Sequence, residues 1–155
     1  MATKLALIVS LLLSSVASGD EIKGKVVGIA DGDTITVLDE SNAQHKIRLE
    51  GIDAPEKKQA FGEKSKTTLS EKVFQKDVVV RWEKKDKYGR VLGAVYLDKR
   101  HINLEMVQEG LAWHYKRFSK AKELAEAEVT ARDTKVGLWA EENPMPPWEF
   151  RAKKE

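Results

Sequence analysis

The sequence predicts an α+β fold, a five-stranded β-barrel with about three helices. Three observations predict it. Five strand-like segments, the second and third with period-two alternation, lie between Ile22 and Leu97, one helical pattern interrupts them after the third, and two helical patterns follow the last. The chain has 155 residues, of which 41% are hydrophobic, enough for one compact domain and too apolar for a disordered chain.

Ile22 to Ala30 reads as the first strand, Asp31-Gly32 as a hairpin dipeptide, and Thr34 to Leu38 as an alternating second strand. The polar stretch Glu40 to Ala43 leads to a third. There His45, Ile47 and Leu49 face one way while Lys46, Arg48 and Glu50 face the other. Ala54-Pro55-Glu56 ends that strand, and Phe61, Ser65, Leu69 and Val73 recur at a spacing of four, predicting a helix from Phe61 to Phe74. Asp77 to Trp82 and Val91 to Leu97 read as strands joined through a turn at Lys87-Tyr88-Gly89-Arg90. Asn103 is expected to cap a short helix carrying Leu104, Val107 and Leu111 and stopped by Gly110. A last helix from Ser119 to Lys135 presents Leu124, Ala127 and Ala131 and stops at Gly137. Phe74, Trp82, Tyr96 and Trp139 are expected in the core. This order suits a Greek-key barrel of the oligonucleotide-binding type, whose groove commonly holds nucleic acid.

Three segments organise the chain: a signal peptide at 1–19, the barrel domain at 20–143, and a Pro- and Trp-containing tail at 144–155, expected to lay Trp148 across the body. Lys4, the apolar run Leu5 to Leu13 and the small-x-small site Ser15-Val16-Ala17 make the leader. The mature protein is then expected to be secreted or periplasmic, with no membrane attachment after cleavage. The sequence has no cysteine, so no disulfide contributes to stability. Net charge is only +2, so attraction to a polyanion must come from local clusters such as Lys84-Lys85-Lys87-Arg90 and Lys116-Arg117-Lys120-Lys122.

The chemistry lies in three short stretches. Asp33 follows a tight turn and Asp53 ends a strand; if those strands are neighbours, the two carboxylates converge. With the backbone carbonyl of Ala54 they would offer three oxygens to a hard cation such as calcium. Three scattered histidines and no cysteine argue against zinc. Glu56, just after Pro55, is placed to take a proton from an attacking water. Arg48 and Arg90 supply guanidinium groups, which give paired hydrogen bonds to phosphate oxygens. Taken singly, each has a plainer reading: Asp31-Gly32 as turn chemistry, Glu56 as a helix-start acid, Arg48 as a surface ion pair.

Jointly, Asp31-Gly32-Asp33-Thr34, Arg48-Leu49 through Asp53-Ala54-Pro55-Glu56, Asp86-Lys87-Tyr88-Gly89-Arg90 and Glu109-Gly110-Leu111-Ala112 make the chain resemble the staphylococcal-type thermonucleases from about Lys25 to Trp139. That resemblance implies metal ligation at Asp33, Asp53 and the carbonyl of Ala54, with Ca2+ as cofactor, and catalysis by Arg48, Glu56 and Arg90. It further implies nucleotide binding at Tyr88, Lys87 and Tyr115, with Trp113 or His114 sharing the last role. The expected activity is hydrolysis of DNA and RNA to 3′-phosphate ends by a monomer, with single strands favoured and little base specificity.

Overall fold

The structure, a computed structural model, describes residues 19–154; apart from Gly19, the expected leader lies outside them. Its longest strand, β1 (Asp20–Asp31), pairs antiparallel with β2 (Thr34–Asp39) on one side and with β5 (Asp77–Lys85) on the other. Irregular register between Val26 and Gly28, and again between Ile29 and Asp31, bends β1 so that one strand serves both neighbours. β3 (Gln44–Leu49) pairs with β2, and β6 (Val91–Leu97) with β5. Parallel pairing of β3 with β6, Ile47 beside Val91 and Leu49 beside Gly93, closes the five strands into the expected barrel. Val26, Val37, Ile47, Leu49, Val80 and Val95 fill it, each with no exposed surface.

Helix α1 (Gly62–Val73) lies against β1 and buries Ser65, Leu69 and Val73, the spacing-of-four face. Three short strands complete the sheet structure: β4 (Ile52–Asp53), β7 (Arg100–His101) and β8 (Trp113–His114), with β4 and β8 forming a separate antiparallel pair. α2 (Ile102–Gln108) and α3 (Lys122–Asp133) pack on each other, a 3-10 turn spans Gly137–Ala140, and α4 (Pro147–Ala152) ends the described chain.

Three expectations are corrected. Asn103 does not cap α2; the flanking residue is His101, without a side-chain cap. Asn103 sits buried inside the first turn, where its side-chain oxygen accepts the Val95 amide (3.0 Å) and its NH2 donates to the carbonyls of Glu50 (3.0 Å) and Gly93 (3.1 Å). A carboxamide satisfies both strand backbones there, which an exposed cap would leave to other partners. Phe74 is 43% exposed, because the backbone turns extended at the residue after α1 and swings the ring outward. The final long helix begins only at Lys122, since the Ser119 hydroxyl oxygen accepts the Ala121 amide in a local turn that competes with helix.

An ion network ties α1, α2 and β7 together. Glu105 accepts from Lys72 (2.8 Å) and from two nitrogens of Arg100 (2.7 and 2.9 Å). The Arg100 hydrogen bonds lead in holding its carboxyl down from 4.5 to about 2; partial burial opposes them and Lys72 adds to them. The folded protein therefore takes up this proton less readily than the unfolded chain. The stabilisation is complete above the ordinary carboxyl value and is lost as pH falls through about 2. Glu105→Gln is expected to lower stability at neutral pH by about 2 kcal/mol, a gap that narrows below pH ~4.5 in urea titrations.

Candidate active site

The β1–β2 turn brings the first carboxylate into place. The Asp33 amide donates to Asp31 Oδ1 (3.1 Å), an Asx-type closure that fixes the turn. Gly32 lies flush against the rest of the site: a Cβ there would stand 1.9 Å from Ser65 Oγ and 2.9 Å from the Ala54 Cβ. Only a residue without a side chain lets the turn approach α1 and the end of β4 this closely. Asp33, 6% exposed, then accepts from the Thr34 hydroxyl through Oδ1 (3.1 Å) and from the Ala54 amide through Oδ2 (2.8 Å).

Asp53 arrives from the other side, on β4, which is held by β8 through Ile52 beside His114 and Asp53 beside Trp113. It is 1% exposed. Between the two carboxylates stands Arg48 of β3. Its Nη1 donates to the carbonyls of Leu49 (2.6 Å) and Ile52 (2.8 Å), shaping the loop between β3 and β4. Its Nη2 lies 3.2 Å from Asp33 Oδ2 and 3.4 Å from Asp53 Oδ1. The two aspartates thus flank a single guanidinium nitrogen.

Burial pushes the Asp33 carboxyl up to about 8; Arg48 opposes and Asp31 reinforces the rise. Burial also raises Asp53, against the pull of Arg151 and Arg48. Two enclosed carboxylates whose rise persists against these guanidiniums fit a hard cation, and all the donors are oxygen. Among the described residues no three His, Cys, Asp or Glu side chains cluster at ligand spacing. The side-chain donors are therefore Asp33 and Asp53, and the rest of a cation's shell falls to backbone such as the Ala54 carbonyl and to solvent.

Glu56 follows Pro55 out of the same loop and is half-buried. Its Oε1 accepts from Arg151 Nη1 at 2.7 Å. The same guanidinium donates to Asp53 Oδ1 (3.1 Å) and Oδ2 (2.7 Å), so Arg151 links Glu56 to the aspartate pair. Arg151 escaped the sequence reading. The only local signal is its place three residues after Trp148, which sets both side chains on one face of a single helical turn.

Arg90 is the expected catalytic residue that the structure does not join to this cluster. It is held in its own β5–β6 turn, where Asp86 accepts its Nε (2.7 Å) and its backbone amide (3.0 Å). The parallel β3–β6 pairing, Val91 beside Ile47, nevertheless carries that turn to the β3 side of the barrel. Tyr88 is 72% exposed, with the Lys87 ammonium 5.1 Å and the Arg90 guanidinium carbon 5.5 Å from its ring centre.

Of the three residues left open for nucleotide contact, Trp113 and His114 are buried, and Tyr115 reaches the surface. One Tyr115 face is already stacked on Trp148, with centroids 5.5 Å apart and planes 4° from parallel. Phe118, 69% exposed, meets Tyr115 edge-on at 4.7 Å.

The family model of staphylococcal nuclease homologues matches residues 46–141. The chain is 47% identical over 149 residues to an uncharacterized endonuclease of Haemophilus influenzae, covering 96% of this chain and 83% of that one. It is 40% identical over 153 residues to the micrococcal nuclease of Shigella flexneri, covering 91% and 87%. A staphylococcal-like nuclease, CAN1, of Arabidopsis thaliana is 42% identical over 109 residues, 70% of this chain and 34% of the plant protein.

The tight seat of Gly32 gives a direct check on this geometry. Its obstructing neighbour cannot swing aside freely, because the Ser65 hydroxyl donates to the Leu111 carbonyl at 2.7 Å. Gly32→Ala is expected to cost about 1–3 kcal/mol in chemical denaturation, an overpacking penalty.

Proposed function

Since the chain belongs to the family of staphylococcal nuclease homologues, and is thereby a nucleic-acid hydrolase, we propose that the acidic pocket is a calcium-dependent phosphodiesterase centre acting on DNA and RNA. The observation that carries this reading is the convergence of buried Asp33 and Asp53 on Arg48, with Glu56 tied to the same cluster. Calcium, held by Asp33, Asp53 and the Ala54 carbonyl, would supply concentrated positive charge beside the scissile phosphate.

The chain's own residues do the rest. The Glu56 carboxylate takes a proton from the water that attacks phosphorus. Arg48 and Arg90 donate hydrogen bonds to the phosphate oxygens, where negative charge accumulates as the new P–O bond forms. The bond from phosphorus to the 5′ oxygen breaks and that oxygen takes up a proton from solvent, leaving a 3′-phosphate on one strand end and a 5′-hydroxyl on the other. Tyr88, with Lys87 above it, and Tyr115 hold the nucleotide by stacking and phosphate attraction, which any base satisfies. Rings exposed in this way need unstacked bases, which favours single strands. The protein acts as a monomer. The leader at 1–19 supports a secreted or periplasmic location.

Cleavage of single- and double-stranded DNA and RNA, with calcium or with chelator and with analysis of the ends, tests this reading. Chelation is expected to stop hydrolysis, and the products to carry 3′-phosphates. Glu56→Gln is expected to lower kcat by about 100-fold or more, and Arg90→Ala by about 100- to 1,000-fold. Undiminished turnover by Glu56→Gln would remove it as the base.

A further inference from the structure

The C-terminal arm enters the acidic pocket. Arg151 spans both oxygens of Asp53, at 3.1 and 2.7 Å, and reaches Glu56 Oε1 at 2.7 Å. Its side chain is 40% exposed, whereas that of Asp53 is 1% exposed, so the guanidinium comes in from the mouth of the pocket. This arrangement opposes hydrolysis. The Glu56 oxygen in contact with Arg151 accepts from a permanent cation instead of a water, and neither Asp53 oxygen is left without a guanidinium contact.

We propose that Arg151 is a surrogate cation, a positioning residue that holds Asp53 and Glu56 together while no divalent ion is bound and that the ion must displace before the reaction starts. The inference rests on the pocket being a metal-dependent hydrolytic centre. Arg151 lies outside the family match, so it belongs to the tail and not to the matched region.

The beginning of the arm is anchored independently. Gln59 Nε2 donates to the Met145 carbonyl at 2.6 Å, Pro147 is buried, and Trp148 packs edge-on against Trp113 (5.4 Å) and flat on Tyr115. Those contacts hold the arm on the body without help from Arg151. Displacement therefore needs only rotation of a long, half-exposed side chain, one turn of helix beyond the anchor. A divalent ion brings twice the charge of a guanidinium to the same carboxylates, which favours exchange.

Calcium titration by calorimetry on the full chain, paired with thermal melting in chelator, tests this. Wild type is compared with Arg151→Gln and Arg151→Lys. Arg151→Gln is expected to bind calcium about tenfold more tightly while the metal-free protein melts at lower temperature, with Arg151→Lys between them. A purely structural arm would weaken binding and lower melting together, and that result overturns the inference. Unchanged calcium affinity in both variants overturns it as well. If Arg151→Gln does not fold, the lysine variant carries the comparison, since a single ammonium cannot reproduce the forked contact. Wild type that takes up no calcium yet cleaves in chelator sinks the metal-dependent reading, and this inference with it. Calcium-dependent wild type with no shift in the variants sinks the Arg151 role alone.

Discussion

Two buried aspartates share one guanidinium nitrogen, and the geometry of the molecule follows from keeping them there. Asp33 comes from the β1–β2 turn and Asp53 from β4, twenty residues further on, and the pairing of β2 with β3 brings both to Arg48. In the β2–β3 ladder Thr34 stands beside Arg48, and the Leu49 amide donates to the Asp33 carbonyl at 2.8 Å. The backbone ladder that builds the barrel therefore also sets the distance between guanidinium and carboxylate. Removing the Arg48 guanidinium would leave Asp33 enclosed without a charged partner and Asp53 dependent on Arg151 alone, and breaking a buried pair in this way generally costs about 3–5 kcal/mol. Site and scaffold are in this sense one structure.

The second carboxylate is held from farther away. Glu128 of α3, 2% exposed, accepts the His114 amide at 2.6 Å and pairs with Arg132 at 2.9 Å and Lys116 at 3.4 Å. That fixes β8, and β8 fixes β4 and Asp53. The Arg132 guanidinium also lies over the rings of Trp139 (4.2 Å) and Trp113 (5.1 Å), and Trp113 in turn receives Trp148. One buried glutamate and one arginine thereby position both Asp53 and the platform on which the C-terminal arm rests.

This explains what the amino-acid pattern could convey. The barrel was legible because its strands are rich in Val and Ile and, in β2 and β3, burial on one face enforces alternation, as at Ile35, Val37, Ile47 and Leu49. The α1 face was legible for the same reason at a period of four. Asn103 misled because an Asn ahead of an apolar run has the same local signature whether its amide caps a helix or splints two strands; only the long-range partners Glu50 and Gly93 distinguish the two. The motif residues Asp33, Arg48 and Asp53 could be proposed together because turn and strand-end positions restrict which residues fit. Arg151 could not: it meets its partners 95 and 98 positions away, and its own neighbours, Ala152, Lys153 and Lys154, read as an ordinary basic tail.

Charge balance gives the arm its significance. Counted formally, Asp33, Asp53 and Glu56 bring three negative charges against two guanidiniums, Arg48 and Arg151. The pocket is one charge short of neutral, and enclosure makes that shortfall costly. Burial foremost, with Asp31 adding to it, makes Asp33 hold its proton tightly. A divalent ion in place of Arg151 brings the formal count to zero. The same exchange frees the Glu56 oxygen that Arg151 occupies. Neutralising the carboxylates and freeing Glu56 would then be a single event, because one side chain serves both groups.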